Sequence, residues 1–338
     1  MTLRAQLATG FRRATRWRLL VLCAVLTAIP AALALLPIWS FLSALLAHAP
    51  RADLLATGME GSWIPDLLRA LSDRREGQAI PGGMAGALAV AFLLAPALSG
   101  AILAEAGSGH PLAFRPLLTG AGRFYGRMLR TSVVAVVPLG LAGAGIAAIA
   151  RSTERAVAAS LTESAAESRV RLALLGGALL FGVAHLTVDA ARARIADRPD
   201  RRSALLAWLS GAWLVLRHPV RSAGIGLAGA AAGPLLGLVV MAVRERLPAG
   251  PTWAVVAGVL LAQAAAMAVG WGRAVRIVAL AGLSRADRAA REERWFRRRR
   301  ADRDVAPDAA AAPAGNEAPA GDALPASGAP PAGDAPPA

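Results

Sequence analysis

Ionisable side chains within and beside the apolar segments are the residues whose types and spacing point to chemistry. His185 and Asp189 are four positions apart and Arg192 follows three positions later, so a helix brings all three towards one face. Similar groups end other apolar segments, and the full candidate polar cluster is Glu105, His185, Asp189, Arg192, Arg273 and Arg276. Charges at membrane depth are costly, so they pair with each other or line a polar cavity.

Two interpretations of this candidate polar cluster are open. In the first, which we favour, these are ordinary charges at the level of the lipid headgroups, and an arginine neutralises Asp189. In the second, His185 belongs to a proton relay or a transport cavity, although a buried, hydrogen-bonded histidine is the simpler expectation. If the helices that carry Asp189 and Arg273 are neighbours, we expect these two residues to form an ion pair.

A strongly basic run lies C-terminal to the last apolar segment. Its arginines are Arg294, Arg297, Arg298, Arg299 and Arg300, with Trp295 and Phe296 between them. A basic cluster next to a membrane gains ~1 kcal/mol per charge at an anionic lipid surface. We therefore predict contact with anionic lipid headgroups at the cytoplasmic face, and we favour this over nucleic acid as a partner.

The sequence lacks the local motifs of common catalytic and metal sites. It has no phosphate-binding glycine loop, no zinc-binding H-E-x-x-H helix, no G-x-S-x-G motif and no acidic magnesium motif. Cys23 is the only cysteine, which excludes an intramolecular disulfide. An active site would have to assemble from distant helices. We predict that the protein is not an enzyme and binds no cofactor or metal.

Membrane-spanning helices are the elements that must position these residues. The chain is 56% hydrophobic and 17% charged, whereas about a quarter of a soluble domain is charged. Charge-free runs near the ~20 residues that cross a bilayer predict spans at about 19–41, 84–104, 131–150, 170–190, 222–243 and 252–272. This pattern excludes a soluble protein, a disulfide scaffold and an outer-membrane barrel. It predicts an all-α, polytopic transmembrane bundle of six spans.

The arginine distribution predicts the orientation of the bundle. The chain has 37 basic residues, all arginine, and 27 of them fall on the side that carries both termini if six spans alternate. Positive loops stay in the cytoplasm, so both termini are predicted to be cytoplasmic in a bacterial inner membrane. The first apolar stretch is about twice as long as a signal-peptide core, and Pro50 follows the apparent cleavage site. We therefore expect an uncleaved first span.

The segments outside the spans differ in composition. We divide the chain into a basic N-terminal segment (1–18), a transmembrane domain (19–283), an arginine-rich juxtamembrane segment (284–304) and a disordered Ala/Pro-rich tail (305–338). Residues 203–217 are apolar but short for a span, and we interpret them as an interfacial or re-entrant helix. Residues 123–130 predict an amphipathic helix in the interface plane, and 63–71 predict a short helix on the outer face.

Small residues predict a close contact between spans five and six. Gly229, Gly233 and Gly237 follow a four-residue spacing on span five. Small residues at a similar spacing on span six are Gly258, Ala262, Ala266 and Gly270. Such residues let helix backbones approach closely in lipid. We favour packing between these two spans, with a homodimer contact as the alternative.

Several motifs resemble a large, poorly characterised class of six-span bacterial membrane proteins. They are Gly122-Arg123-Phe124-Tyr125-Gly126-Arg127-Met128-Leu129-Arg130, Asp189-Ala190-Ala191-Arg192, Arg202-Ser203-Ala204 and Val215-Leu216-Arg217-His218-Pro219. The resemblance covers roughly residues 85–280. The layout is similar to the membrane domains associated with glycerophosphodiesterases, but phosphodiesterase residues are not present. The resemblance implies a membrane location and no particular activity.

We expect an accessory or scaffold component of the cell envelope, in contact with membrane lipids and with a homo-oligomer or envelope partner. The second expectation is a transporter or permease-like protein for a small molecule or lipid. Prolines in four spans, Pro30, Pro96, Pro138 and Pro234, favour it because broken helices build substrate sites. The third is a lipid-modifying enzyme.

Overall fold

The computed structural model describes residues 2–47, 69, 71, 75–160, 162–197, 203–248 and 252–304. Within these ranges the chain is helical and contains no strand. Six helical segments are long and apolar enough to cross a membrane, which confirms the predicted six-span helical class. The tail 305–338 and almost all of the outer-face helix predicted over 63–71 lie outside the described residues.

The helices of the described ranges are numbered α1 to α9 in chain order. In order they are α1 (Leu3–Ala14), α2 (Trp17–Leu46), α3 (Arg75–Gly107), α4 (Phe114–Val134), α5 (Val136–Ala158), α6 (Glu163–Asp197), α7 (Ala204–Arg217), α8 (Pro219–Arg244) and α9 (Thr252–Asp304). The candidate spans lie in α2, α3, the α4–α5 pair, α6, α8 and α9. The basic stretch 123–130 is therefore part of the longer helix α4, which leads directly into span three.

A proline accounts for the interruption between α4 and α5. Pro138 has no N–H to donate to the carbonyl of Val134, and its ring crowds that carbonyl. The helix is interrupted just before this proline. The other three prolines that favoured a transporter, Pro30, Pro96 and Pro234, lie inside continuous helices. Broken helices are therefore not found at those three positions.

The buried core lies at one end of the spans, which we call the arginine-rich end. Most residues of 98–106 in α3, 188–197 in α6 and 274–287 in α9 are buried there. By contrast, only 11% of the most apolar window of span one and 17% of that of span six are buried. The spans thus keep large apolar surfaces for lipid, and their closest packing is at the end that carries the charged residues.

An N-terminal helix, α1, completes this core. The Thr2 side chain caps α1 by accepting from the Ala5 N–H at 3.4 Å. Gln6 and Gly10 are buried on one face, and a Cβ on Gly10 would lie 2.9 Å from the Val275 carbonyl oxygen. The sequence analysis treated 1–18 only as a basic segment, and it did not predict a helix packed against α9.

Spans five and six pack closely through glycine. A Cβ on Gly233 would lie 2.7 Å from the Ala268 oxygen, and one on Gly229 would lie 2.8 Å from the Gly272 oxygen. Gly237 is less tightly enclosed, since its nearest neighbour would be 3.4 Å away. All three glycines therefore face α9 of the same chain.

The face that span six presents to these glycines differs from the predicted one. The predicted residues were Gly258, Ala262, Ala266 and Gly270. The contacts are made instead by Ala265, Ala268 and Gly272, while Gly270 faces Cys23 of α2. Small residues occur on more than one face of this helix, so their spacing alone did not determine its rotation.

Within the predicted stretch 203–217, Ser203 is the N-cap and Ala204–Arg217 form α7, which packs along α6. At 14 residues α7 is too short to cross a bilayer. A Cβ on Gly211 would lie 2.5 Å from the Ala191 nitrogen, so the two backbones are in close contact. The opposite face exposes Leu205, Leu209 and Trp213. The interpretation of this helix as interfacial or re-entrant stays a prediction.

Helix α9 runs past the predicted end of span six at residue 272. It continues to Asp304, and the first compact unit of the molecule ends at Ala289, beyond the boundary predicted at 283. The boundary is later because residues 274–287 are packed in the core. The described part of the second unit, 290–304, is helical, and residues 292–300 of it are exposed.

Candidate functional site

Asp189 is the centre of the candidate site. Its side chain is fully buried near the C-terminal end of α6. The Oδ1 atom accepts a hydrogen bond from Arg192 at 2.7 Å, one turn along the same helix. The Oδ2 atom accepts from Nε of Arg276 on α9 at 2.5 Å. Both carboxylate oxygens are therefore occupied by guanidinium groups.

His185 lies one turn before Asp189 and completes the contact between α6 and α9. Its Nδ1 atom is 3.4 Å from Asp189 Oδ2 and 3.1 Å from an NH2 group of Arg276. Because arginine can only donate, Nδ1 can accept from Arg276, whereas a contact with the Asp189 carboxylate would need a proton on Nδ1. The ring is 32% exposed and lies beside Phe181, with 5.8 Å between ring centroids.

Arg273 does not pair with Asp189, so the expected Asp189–Arg273 ion pair is wrong. It donates instead to the Ser99 hydroxyl of α3 at 3.0 Å. Three helical positions separate Arg273 from Arg276, which rotates the two side chains by about 60° around α9. Arg276 thus faces α6 while Arg273 faces α3.

The candidate site carries more positive than negative charge. Arg192, Arg273 and Arg276 provide three guanidinium groups, whereas Asp189 provides one carboxylate. No other carboxylate within the described ranges is within ion-pair distance of these arginines. The Nε atoms of Arg192 and Arg273 are buried and have no hydrogen-bond partner among the described residues. The described part of the site therefore has two more guanidinium groups than carboxylates.

Glu105 belongs to a different network from the other predicted members of the cluster. It is almost fully buried and forms an ion pair with Arg16, at the junction of α1 and α2. Its Oε2 atom accepts from the Leu112 N–H at 3.4 Å. Arg13 donates to the Ala106 carbonyl at 2.8 Å. This network ties the N-terminal helices to the end of α3.

A third polar network joins α6 and α9 beyond the candidate site. Asp287 accepts from Arg194 at 3.0 Å and lies 3.3 Å from Nε2 of His218. Asp197 accepts from the Ser284 hydroxyl at 3.2 Å and pairs with Arg288 at 3.1 Å. Sequence analysis missed this network. The one available signal was that Ser284, Asp287 and Arg288 continue the helical spacing past the last span.

The predicted lipid-contact arginines lie in the second unit. Arg294, Arg297, Arg298, Arg299 and Arg300 are exposed on the last turns of α9. The Arg299 guanidinium lies 4.3 Å from the Trp295 ring centroid, and Arg297 pairs with Glu293 at 3.3 Å. Trp295 and Phe296 expose large apolar surfaces beside these charges. Exposed cations interleaved with aromatic rings are compatible with a lipid surface.

The described residues contain no group of three or more His, Cys, Asp or Glu side chains that could hold a metal ion. Comparisons of the chain with protein families, with curated proteins and with solved structures find no match. The resemblance of residues 85–280 to six-span bacterial membrane proteins therefore stays a prediction.

Proposed function

We propose that this protein is a non-catalytic accessory or scaffold component of the bacterial inner membrane. The observation that carries the proposal is the occupancy of Asp189, whose two oxygens are taken by Arg192 and Arg276. A carboxylate held between two guanidinium groups is a poor proton acceptor, because protonation would leave both cations unpaired in a buried site. Its role is then to fix α6 against α9.

The other two networks support the same role. Glu105 and Arg16 join α3 to α2, and Asp287 and Arg194 join α9 to α6. Each pair connects helices distant in sequence at the arginine-rich end. Removing one member of a buried pair costs about 3–5 kcal/mol, because the remaining charge is stranded. Such pairs hold the spans in a defined arrangement and leave their apolar faces free for lipid or a partner.

The experiment is quantitative co-purification from native membranes. The full chain would be tagged, extracted in mild detergent and weighed by mass photometry, as wild type and as Asp189→Asn. The scaffold proposal expects a stoichiometric envelope partner or a second copy with wild type, and its loss with the variant. The control is Arg171→Gln, which removes an exposed ion pair with Glu167 on the same helix.

A clear result against the proposal is also available. A wild-type chain that is monomeric, without a stoichiometric partner in its own membrane, would contradict a scaffold role. Equal partner loss in Asp189→Asn and Arg171→Gln would show that the buried ion pair is not what presents the partner surface.

The surplus positive charge favours a second candidate, a transporter or permease-like protein for an anionic small molecule or lipid. Among the described residues, Arg273 is the arginine of the cluster whose hydrogen-bond partner is a hydroxyl, that of Ser99, and not a carboxylate. Proteoliposomes would be assayed with radiolabelled phosphate and with fluorescent phosphatidylglycerol as probes. Transport that falls at least tenfold in Arg273→Gln and persists in Arg171→Gln would raise this candidate above the scaffold. No movement of either probe would count against it.

A further inference from the structure

A cavity of about 580 Å³ opens at the arginine-rich end. It lies between the end of α3, the first half of α4 and Ala196 of α6. Its walls include Leu103, Arg115, Thr119, Arg123 and Phe124. Pockets of roughly 300–1,000 Å³ take small ligands, so the volume suits a headgroup with the first part of an acyl chain.

Two arginines give the cavity its chemistry. Arg115 and Arg123 line it, and the lining residues include no carboxylate. Within the described part of the chain, neither guanidinium has an acidic partner, unlike Arg16, Arg192 and Arg276. Arg123 lies 5.9 Å from the Phe124 ring centroid, which holds its side chain beside the cavity. Eight positions of α4, a rise of about 12 Å, separate the two arginines, and each guanidinium can donate to more than one phosphate oxygen.

The walls of the cavity are fixed by close helix packing. A Cβ on Gly100 would lie 2.9 Å from the Ala121 oxygen, so α3 and α4 are in backbone contact there. Gly120, which lines the cavity, is packed directly against the Ala104 side chain. Such glycine contacts leave little room for the helices to move together or apart. The cavity is therefore preformed.

The surroundings of the cavity are those of a membrane–water interface. Trp17 is 61% exposed and packs edge-on against Phe114 at the start of α4, with 5.3 Å between ring centroids. Arg18 lies over the Trp17 ring at 5.4 Å. Leu118, one turn along α4, is also exposed. Aromatic rings with basic neighbours are enriched where the headgroups meet the acyl chains.

We propose that this cavity binds the phosphate headgroup of an anionic membrane lipid. Arg115 and Arg123 contact the phosphate oxygens, and Leu103 and Phe124 contact the adjoining part of the lipid. The site is distinct from the basic run that begins at Arg294, and it does not depend on whether the protein is a scaffold. A lipid is favoured over a soluble phosphate compound because apolar walls and exposed interfacial side chains surround the arginines.

The test uses the full chain in phosphatidylcholine nanodiscs that contain a photoreactive phosphatidylglycerol with its reactive group near the headgroup. Labelled peptides would be mapped by mass spectrometry. We expect labelling of the ends of α3 and α4, with competition by unlabelled phosphatidylglycerol and not by inorganic phosphate. Labelling there should fall at least tenfold in Arg115→Gln/Arg123→Gln. It should be unchanged in Arg151→Gln/Arg155→Gln, which removes the same charge from exposed positions on α5.

Two results would overturn the proposal. Equal labelling of these peptides in wild type and Arg115→Gln/Arg123→Gln would show that the arginines do not hold the lipid. Protection by inorganic phosphate alone would identify a soluble anion as the occupant. If the Gln variant does not fold, Arg115→Lys/Arg123→Lys decides, because lysine keeps the charge but loses the planar fork. Labelling should then fall at least threefold, and unchanged labelling would overturn the proposal.

Discussion

At the scale of single residues, charge neutralisation explains why Asp189 is tolerated in an apolar helix. Its two arginine partners come from different directions, Arg192 from its own helix and Arg276 from α9. The intrahelical contact costs little chain entropy because three positions separate the partners. The contact with Arg276 forms only when α9 is rotated so that Arg276 faces α6. It therefore depends on the tertiary fold.

The Asp189–Arg276 contact predicts a strong energetic coupling. Asp189→Asn should lower the free energy of unfolding by about 3–5 kcal/mol, because it removes the buried carboxylate that Arg192 and Arg276 share. Arg276→Gln should cost less, because Arg192 still pairs with Asp189. The double variant should cost clearly less than the sum of the two. Chemical unfolding in detergent micelles would measure these values, with the exposed pair Glu167–Arg171 as a control worth ~0–1 kcal/mol. Additive effects would show that the two residues do not interact.

Arg273 provides a second comparison at this scale. It donates to a hydroxyl and not to Asp189, so Asp189→Asn and Arg273→Gln should show weaker coupling than Asp189→Asn and Arg276→Gln. The same unfolding assay would measure it. Stronger coupling with Arg273 than with Arg276 would contradict the observed rotation of α9.

The sequence was sufficient to group His185, Asp189 and Arg192, because helical spacing alone brings them to one face. It was not sufficient to choose between Arg273 and Arg276. These two side chains differ by about 60° around one helix, and the choice depends on how α9 rotates against its neighbours. That rotation is set by contacts such as Gly229 against Gly272, which spacing in an Ala- and Gly-rich sequence does not specify.

At the scale of helices, close glycine contacts set the distance between α8 and α9. Hydrophobicity does not drive association in lipid, so backbone approach and van der Waals packing must provide the stability. The charge-free runs were sufficient to predict the spans, because each is close to the ~20 apolar residues that a helix needs to cross a bilayer. Helix α1 was not predicted, because a short amphipathic helix with several arginines resembles an ordinary basic flank.

Substitution of a central glycine tests this packing. Gly233→Ala should lower the free energy of unfolding by about 1–3 kcal/mol, because its methyl group meets the Ala268 carbonyl at 2.7 Å and overpacks the contact. Gly182→Ala in α6 is the matched control, since a Cβ there meets nothing within 4 Å. Thermal unfolding in detergent would measure both. Equal effects would show that glycine flexibility, and not helix approach, is what matters at position 233.

The extension of α9 predicts where the chain can be shortened. A chain ending at Val305 should insert and unfold as the full chain does, since Ala, Pro and Gly dominate the remaining residues and offer little apolar surface for packing. A chain ending at Leu283 should be strongly destabilised, because it loses Asp287 and its contacts with Arg194 and His218. Yield of folded protein by size-exclusion chromatography distinguishes the two. Loss of folding in the chain that ends at Val305 would show that the removed residues, 306–338, pack against the rest of the protein.

At the scale of the whole molecule, the residues before the first span and after the last meet at one end. Gly10 of α1 packs against Val275 and Ala279 of α9, and Arg13 binds the end of α3. An even number of crossings follows from these contacts, because both flanks of the membrane domain are at the arginine-rich end. The positive-inside rule then predicts that this end faces the cytoplasm.

Reporter fusions expressed in a bacterial host would test this orientation. Cytoplasmic reporters fused at residues 120, 205 and 290 should be active, and periplasmic reporters should be active at 65, 160 and 248. Positions 160 and 248 follow spans three and five, and 205 follows span four. Position 290 lies beyond residue 272, where the sequence predicts that span six ends. An active periplasmic reporter at 290 with an active cytoplasmic one at 205 would contradict the six-span arrangement. It would require an odd number of crossings between these two positions, where the six-span arrangement has two. Inversion of all six results would instead leave the span count intact and reverse the predicted orientation, which would also move the Arg115–Arg123 cavity to the outer face.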